Sequence, residues 1–116
     1  MNLVEFYEAV GGDYEDMHAR LSKEESIKKY LKKFCDDAEY IGMMEGYEVK
    51  DYTKVFKCSH SLKGVCANLC LTSLKEKISD ICECVRGGEP KADMTDMIAD
   101  AKVCYEYVIA KIGELE

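Results

Sequence analysis

The chain has 116 residues, of which 47% are hydrophobic and 34% charged, and its formal net charge is −7. This length predicts a single domain over residues 1–116 with enough apolar content for a core. The acidic balance argues against nucleic-acid binding, which needs clustered Lys and Arg side chains. No apolar run approaches membrane-spanning length, and the N terminus lacks a basic region followed by an apolar run. We therefore expect no signal peptide, no membrane association and a cytoplasmic location.

Residues 1–21 predict two short helices. The first runs from about Leu3 to Val10 and stops at a glycine pair. Asp13 can cap the second, which runs from about Tyr14 to Leu21. We assign the remaining residues, 22–116, to a helical bundle.

The bundle region begins with the capping-box pattern of Ser22 and Glu25, a serine followed three residues later by a glutamate. The apolar residues after it follow the helical period of 3.6: Ile27, Tyr30, Leu31 and Phe34. The lysines of this helix fall on its outward side, which we interpret as a solvated face. Asp36 and Asp37 predict a break, because aspartate favours caps over helix interiors. A second helix then runs from Ala38 to Gly46 with Ile41 and Met44 as apolar positions, although one helix over 23–45 would also fit.

Three further helices complete the chain. Asp51 is predicted to cap a helix that ends near Leu69, and Ser73 with Glu76 forms another capping box. The helix after Ser73 ends at the glycine pair before Pro90, and the last runs from about Asp93 to Glu114. Both have apolar residues at helical spacing: Leu74, Ile78, Ile81 and Val85 in one, and Met97, Ile98, Ala101, Tyr105, Val108 and Ile112 in the other. The predicted fold is all-α, an antiparallel up-down four-helix bundle with one or two short N-terminal helices.

Seven cysteines in so short a chain raise the question of disulfides or a metal site. Their number is odd, and no pair has the Cys-x-x-Cys spacing of a zinc or redox site. Most of them fall among apolar residues at helical spacing, where a free cysteine behaves as a small buried hydrophobe. We predict reduced thiols in the core.

The segment Ser59-His60-Ser61-Leu62-Lys63-Gly64 lies within the predicted central helix. His60, Lys63 and Gly64 share one helix face, one turn apart. The apolar positions of the helix fall on the opposite side, so His60 is predicted to be exposed. Residues on either side of the histidine complete its face: Thr53, Phe56, Lys57, Lys63, Gly64 and Ala67.

Two residues of this face call for an explanation. Glycine inside a helix costs about 1 kcal/mol relative to alanine, so Gly64 indicates close approach by another molecule. Phe56 is apolar on a face turned to water, which indicates a docking surface. The alternative for Phe56 is that it folds under the N-terminal helix.

An exposed imidazole beside a lysine is a suitable group for carrying a phosphoryl group. Neutral imidazole is nucleophilic near neutral pH, and Lys63 can donate charge-assisted hydrogen bonds to phosphoryl oxygens. The sequence has no glycine-rich loop that would hold ATP and no evident cluster of carboxylates for Mg²⁺. The chain is therefore predicted not to be an enzyme, and the metal and catalytic acids are expected on a partner.

The segment from Ser59 to Gly64, followed by Ala67-Asn68-Leu69, resembles the histidine-containing phosphotransfer (HPt) domain of bacterial two-component phosphorelays. The family pattern is His-x-Leu-Lys-Gly, often followed by Asn-Leu-Gly, on the second long helix of a four-helix bundle. The resemblance implies that His60 accepts the phosphoryl group, Lys63 stabilises it and Gly64 lets the receiver domain approach. It also implies receiver domains or a hybrid sensor histidine kinase as partners, Mg²⁺ held by the receiver and no cofactor of the chain's own. Cys70 departs from the family pattern, because it stands where the family often has glycine.

Other interpretations of the sequence stay open. The chain could be a phosphoacceptor module from a hybrid or chemotaxis-type histidine kinase, since nothing in it resembles an ATP-binding domain. It could also be a passive scaffold or a metal-binding helical bundle. The candidate metal ligands are the single Glu15-x-x-His18 pair and a set formed by four residues of the central region: Cys58, His60, Cys66 and Cys70. We expect a monomer.

Overall fold

A computed structural model describes all residues from 1 to 116 and contains seven α-helices and no strands. The molecule is elongated, with extents of 41 × 22 × 20 Å. The helices are α1 (Leu3–Val10), α2 (Tyr14–Arg20), α3 (Glu24–Phe34), α4 (Ala38–Glu48), α5 (Tyr52–Asn68), α6 (Thr72–Cys84) and α7 (Thr95–Gly113). The all-helical prediction is thus confirmed, and so is the separation of α3 from α4.

Aspartate caps begin three of these helices, as the sequence predicts. The carboxylates of Asp13, Asp37 and Asp51 accept hydrogen bonds from backbone N–H groups in the first turns of α2, α4 and α5. Each bond satisfies one of the amide groups that a helix leaves without an internal partner. Asn2 caps α1 in a complete capping box with Glu5, which the sequence analysis did not identify.

The two predicted serine capping boxes are wrong. α3 begins after Lys23 and α6 after Leu71, and neither helix start has a side-chain hydrogen bond. The hydroxyl of Ser73 instead donates to the carbonyl oxygen of Gly11 at 3.1 Å. Ser73 therefore ties α6 to the end of α1, a tertiary contact that outcompetes the local cap.

One hydrophobic cluster of 25 buried residues receives side chains from all seven helices. The predicted core positions of α6 are all buried, and those of α7 are buried or half-buried. Tyr30 and Ile41 depart from the prediction, because they are 48% and 58% exposed. In α4 the buried residues are Met43 and Gly46, and Gly46 lies where an added Cβ would stand 3.1 Å from the carbonyl oxygen of Asp51. This close approach to the start of α5 turns Ile41 outward.

Helices α4, α5, α6 and α7 pack against one another in chain order, and α1 packs on α7 and α2. The N-terminal segment also holds the end of α5. The hydroxyl of Tyr7 donates to the carbonyl oxygen of Leu69 at 2.8 Å, and the N–H of Asp13 donates to that of Cys70 at 3.0 Å. These bonds satisfy carbonyl groups that the end of α5 leaves free, so α1 and the α1–α2 turn fix the position of α5.

All seven cysteines are free thiols, and four of them are buried. None of the seven helices combines the length and the apolar character that crossing a membrane requires.

Candidate functional site

Helix α5 presents His60 to solvent. Its buried face consists of Val55, Ser59, Leu62 and Cys66. His60 lies on the other side and is exposed, as the helical periodicity predicts. The sequence analysis missed Ser59, a polar residue in the core whose hydroxyl donates to the carbonyl oxygen of Phe56 at 3.1 Å.

The imidazole of His60 has one aromatic neighbour and no hydrogen-bonded partner among the bonds that α5 makes. The ring of Phe56, one turn earlier, lies 5.9 Å from it between centroids at an interplanar angle of 38°. Phe56 is half-buried and limits the orientations open to the imidazole. The exposed imidazole is therefore open to a group that approaches from solvent.

Arg86, from the turn after α6, also lies over the ring of Phe56. Its guanidinium carbon is 5.3 Å from the centroid of Phe56, within the range of a cation–π interaction. Glu83 holds the guanidinium through two hydrogen bonds, of 2.7 and 3.2 Å. Phe56 is thus shared between His60 and Arg86, and the alternative that it folds under the N-terminal helix is wrong.

The sequence analysis did not identify Arg86 as part of the site. Its i,i+3 pairing with Glu83 could be predicted from the spacing alone. Its approach to Phe56 depends on how α6 packs against α5, and no local pattern encodes that packing.

Positive charge gathers around Glu83. The hydrogen bonds from Arg86 are the main reason why the pKa of the Glu83 carboxyl lies below its usual value, and the charges of Lys63 and Lys91 act in the same direction. Lys63 is half-buried on α5, one turn after His60. The site therefore holds two cations, Lys63 and Arg86, on the side of α5 that faces the end of α6.

The space above Gly64 is open. A Cβ atom added at this position would meet no atom within 4 Å. The predicted docking residues lie along the same face of α5, with Thr53 and Lys57 exposed and Phe56 and Ala67 half-buried. This face gives an approaching molecule access to His60 past a position that has no side chain.

Helix α2 borders the far end of this face. A guanidinium nitrogen of Arg20 lies 3.4 Å from the carbonyl oxygen of Ala67, and the same side chain forms an ion pair with Asp16 at 3.1 Å. The thiol of Cys70 donates to Asp16 at 3.4 Å. Burial and the neighbouring Asp16 raise the pKa of this thiol to about 11.

Cys70 adopts a left-handed backbone conformation, with φ of 56°. Glycine is favoured in this region because it has no Cβ. The turn that closes α5 thus has the geometry that a glycine would adopt, although a cysteine occupies the position.

No group of three or more His, Cys, Asp or Glu side chains is arranged to hold a metal ion. Of the four residues considered as a zinc set, Cys66 is buried in the core while His60 is exposed on the opposite side of α5. The ring of His18 lies 5.6 Å from that of Tyr14, and both belong to α2.

Comparison of the chain with protein-family models, with curated proteins and with solved structures finds no match.

Proposed function

We propose that this chain is a phosphocarrier in which His60 accepts a phosphoryl group from a receiver-domain aspartate, or from a sensor kinase, and passes it to another response regulator. The observation that carries the proposal is the exposed imidazole with Lys63 one turn away and open space above Gly64. An idle surface histidine would need neither a lysine one turn away nor a helical glycine beside it. The resemblance of the segment from Ser59 to Gly64 to HPt domains supports the same function.

In the proposed reaction a ring nitrogen of neutral His60 attacks the phosphorus of an aspartyl phosphate. A nitrogen–phosphorus bond forms, the acyl phosphate P–O bond breaks, and the aspartate leaves as a carboxylate. The other ring nitrogen keeps its proton. Because phosphoryl transfer is largely a matter of positioning and charge stabilisation, the chain needs little more than an oriented imidazole and nearby cations.

Lys63 and Arg86 are the cations proposed to stabilise the transferred group. Three phosphoryl oxygens carry negative charge and accept strong hydrogen bonds from ammonium and guanidinium groups. Glu83 already engages Arg86, so its carboxylate competes with the phosphoryl group for this cation. Such competition would keep the carrier from holding the phosphoryl group too tightly to release it.

The receiver domain is proposed to dock over Thr53, Phe56, Lys57, Gly64 and Ala67 and to bring Mg²⁺ with it. The chain itself would have no ATP-binding site and no catalytic turnover. We also propose that α4 to α7 form an antiparallel up-down four-helix bundle. Their consecutive packing in chain order and the short connections at 49–51 and 69–71 support this arrangement. A monomer in the cytoplasm would suit such a carrier.

Phosphotransfer from receiver domains tests the function, and the chain offers a matched control because it has only two histidines. Each receiver domain of the source organism is charged with acetyl phosphate and incubated with the wild-type chain, His60→Gln or His18→Gln. Wild type and His18→Gln should acquire acid-labile, alkali-stable phosphate, and His60→Gln should acquire none. If no receiver labels His60, or if His60→Gln is labelled as well as wild type, the proposal is wrong.

A further inference from the structure

A surface cleft of about 440 Å³ lies between α2, α3 and the last turn of α5. Its volume falls within the range of small-molecule sites, roughly 300–1,000 Å³. Six apolar residues form its walls and floor: Met17, Leu21, Tyr30, Phe34, Val65 and Leu69. His60 does not line the cleft, so the cleft is separate from the proposed phosphocarrier site.

The floor of the cleft belongs to the hydrophobic core, and an exposed aromatic side chain stands at its rim. Met17, Phe34 and Leu69 belong to the hydrophobic core and are at most 7% exposed. Tyr30, by contrast, is 48% exposed. An aromatic side chain at the edge of a concave apolar surface offers a flat face on which a ligand ring or chain can pack.

Four polar residues border this surface, and two of them already have protein partners. Asp37 accepts the backbone N–H of Glu39 at 2.8 Å and so caps α4. Arg20 is paired with Asp16. The charge of Arg20 is therefore balanced within the protein, and one carboxylate oxygen of Asp37 is occupied by the start of α4.

Lys33 and Asn68 are the other two, and they have no such partners. No ion pair includes the ammonium group of Lys33, which lies 5.7 Å from the centre of the Tyr30 ring. The exposed amide of Asn68 makes none of the side-chain hydrogen bonds found around the end of α5. The rim of the cleft thus presents one cation without a carboxylate partner and one free amide next to an apolar wall.

From this combination we propose that the cleft binds a small amphipathic anion, whose apolar ring or chain packs on Tyr30 and Phe34 while its carboxylate or sulfonate group pairs with Lys33. The apolar lining supplies affinity by burial, and the charge pair orients the ligand. The cleft is sized for one small molecule of this class, and the unpaired lysine selects an anion over a neutral molecule.

Two fluorescent probes of the same shape test the proposal. The first, 8-anilinonaphthalene-1-sulfonate, carries a sulfonate, and the second, N-phenyl-1-naphthylamine, is its neutral analogue. Titration of the folded wild-type chain should give saturable one-to-one binding of the sulfonate probe. Backbone amide signals of the cleft residues in ¹H–¹⁵N spectra should shift on addition of the probe.

Substitutions test whether Lys33 pairs with the probe and whether the probe occupies the cleft. Lys33→Glu should weaken binding of the sulfonate probe by about tenfold or more, the scale of one lost charge-assisted contact, and leave the neutral probe nearly unaffected. Lys32→Glu is the matched control, because it makes the same charge change in α3 at a residue outside the cleft lining. Asn68→Trp should fill the mouth and abolish binding of both probes. His60→Gln should bind as wild type does, which separates this proposal from the phosphocarrier function.

Three results would overturn the proposal. One is the absence of saturable binding to the folded chain. Another is probe binding that neither Lys33→Glu nor Asn68→Trp weakens, because the probe would then occupy another apolar patch, such as the exposed Val103 and Tyr107 of α7. The third is that the backbone amide signals of the cleft residues shift when a receiver domain is added but not when the probe is added. That result would identify a protein side chain as the occupant of the cleft.

Discussion

Gly64 offers a prediction in which stability and function change in opposite directions. Inside a helix, replacing glycine by alanine stabilises a protein by about 0.5–1 kcal/mol where the new methyl group has room. At Gly64 no atom lies within 4 Å of the added Cβ. Gly64→Ala should therefore raise the free energy of unfolding by that amount. For a chain of this length the melting temperature should rise by about 2–4 °C.

The rate of phosphoryl transfer to His60 should decrease as the side chain at position 64 becomes larger. If the receiver domain approaches His60 over Gly64, the long side chain of Gly64→Gln displaces the two reacting groups. Misplacement by about 1 Å can cost roughly 100-fold in rate, and we expect a loss of that order. Urea denaturation gives the stability of each variant, and single-turnover transfer from a charged receiver gives its rate.

Two other glycines provide the controls for this experiment. Gly113 also has open space around it but lies in the last turn of α7, so Gly113→Gln should transfer at the wild-type rate. At Gly46 an added Cβ would stand 3.1–3.2 Å from atoms of Asp51 and Val55, including backbone atoms. Gly46→Ala should therefore lower stability, by about 1–3 kcal/mol. Wild-type transfer by Gly64→Gln, or destabilisation by Gly64→Ala, would refute the reasoning about this approach.

Three further predictions concern the end of α5, the core thiols and the second cation. Tyr7→Phe removes the hydroxyl that donates to a buried carbonyl at the end of α5, so the free energy of unfolding measured by urea denaturation should fall by about 1–3 kcal/mol. Tyr107 is exposed, and Tyr107→Phe should leave that free energy almost unchanged. Burial raises the pKa of the Cys66 thiol from 9.0 to about 12, so its neutral form favours the folded state. The stability that this thiol contributes is fully present below pH 9 and is lost as the pH rises towards 12. The free energy of unfolding of Cys66→Ala should therefore fall less steeply with rising pH than that of the wild type. Equal slopes of the two proteins from pH 8 to 11 would contradict this. Arg86→Ala should leave the melting temperature nearly unchanged, because the ion pair of Arg86 with Glu83 is exposed. The same substitution should shorten the lifetime of the phosphorylated chain several-fold, and Glu83→Gln should lengthen that lifetime. Equal lifetimes of the phosphorylated wild type, Arg86→Ala and Glu83→Gln would show that Arg86 does not stabilise the phosphoryl group.

Local sequence signals predicted the part of the structure that depends on local physics. The exposure of His60 follows from the 3.6 period of α5, and the breaks before α2, α4 and α5 follow from the ability of aspartate to cap a helix. Both effects act within one or two turns of chain. A single sequence is sufficient to predict them.

Features that depend on packing between helices could not be predicted in this way. Ser73 has the local pattern of a cap, but its hydroxyl donates to Gly11, a residue 62 positions earlier. Ile41 has the spacing of a core residue, but the close approach of α4 to α5 at Gly46 turns it to solvent. Arg86 joins the site for a similar reason, because only the packing of α6 against α5 brings it over Phe56.

The most direct test of the central claim is to follow one phosphoryl group onto His60 and off again. The chain is labelled by a charged receiver domain, the modified residue is located by mass spectrometry, and an uncharged second receiver is then added. The account predicts one phosphate per chain, located on His60, labile to acid, stable to alkali and discharged to the second receiver. Phosphate that is found on another residue, or that stays on His60 with every receiver of the source organism, would contradict the account.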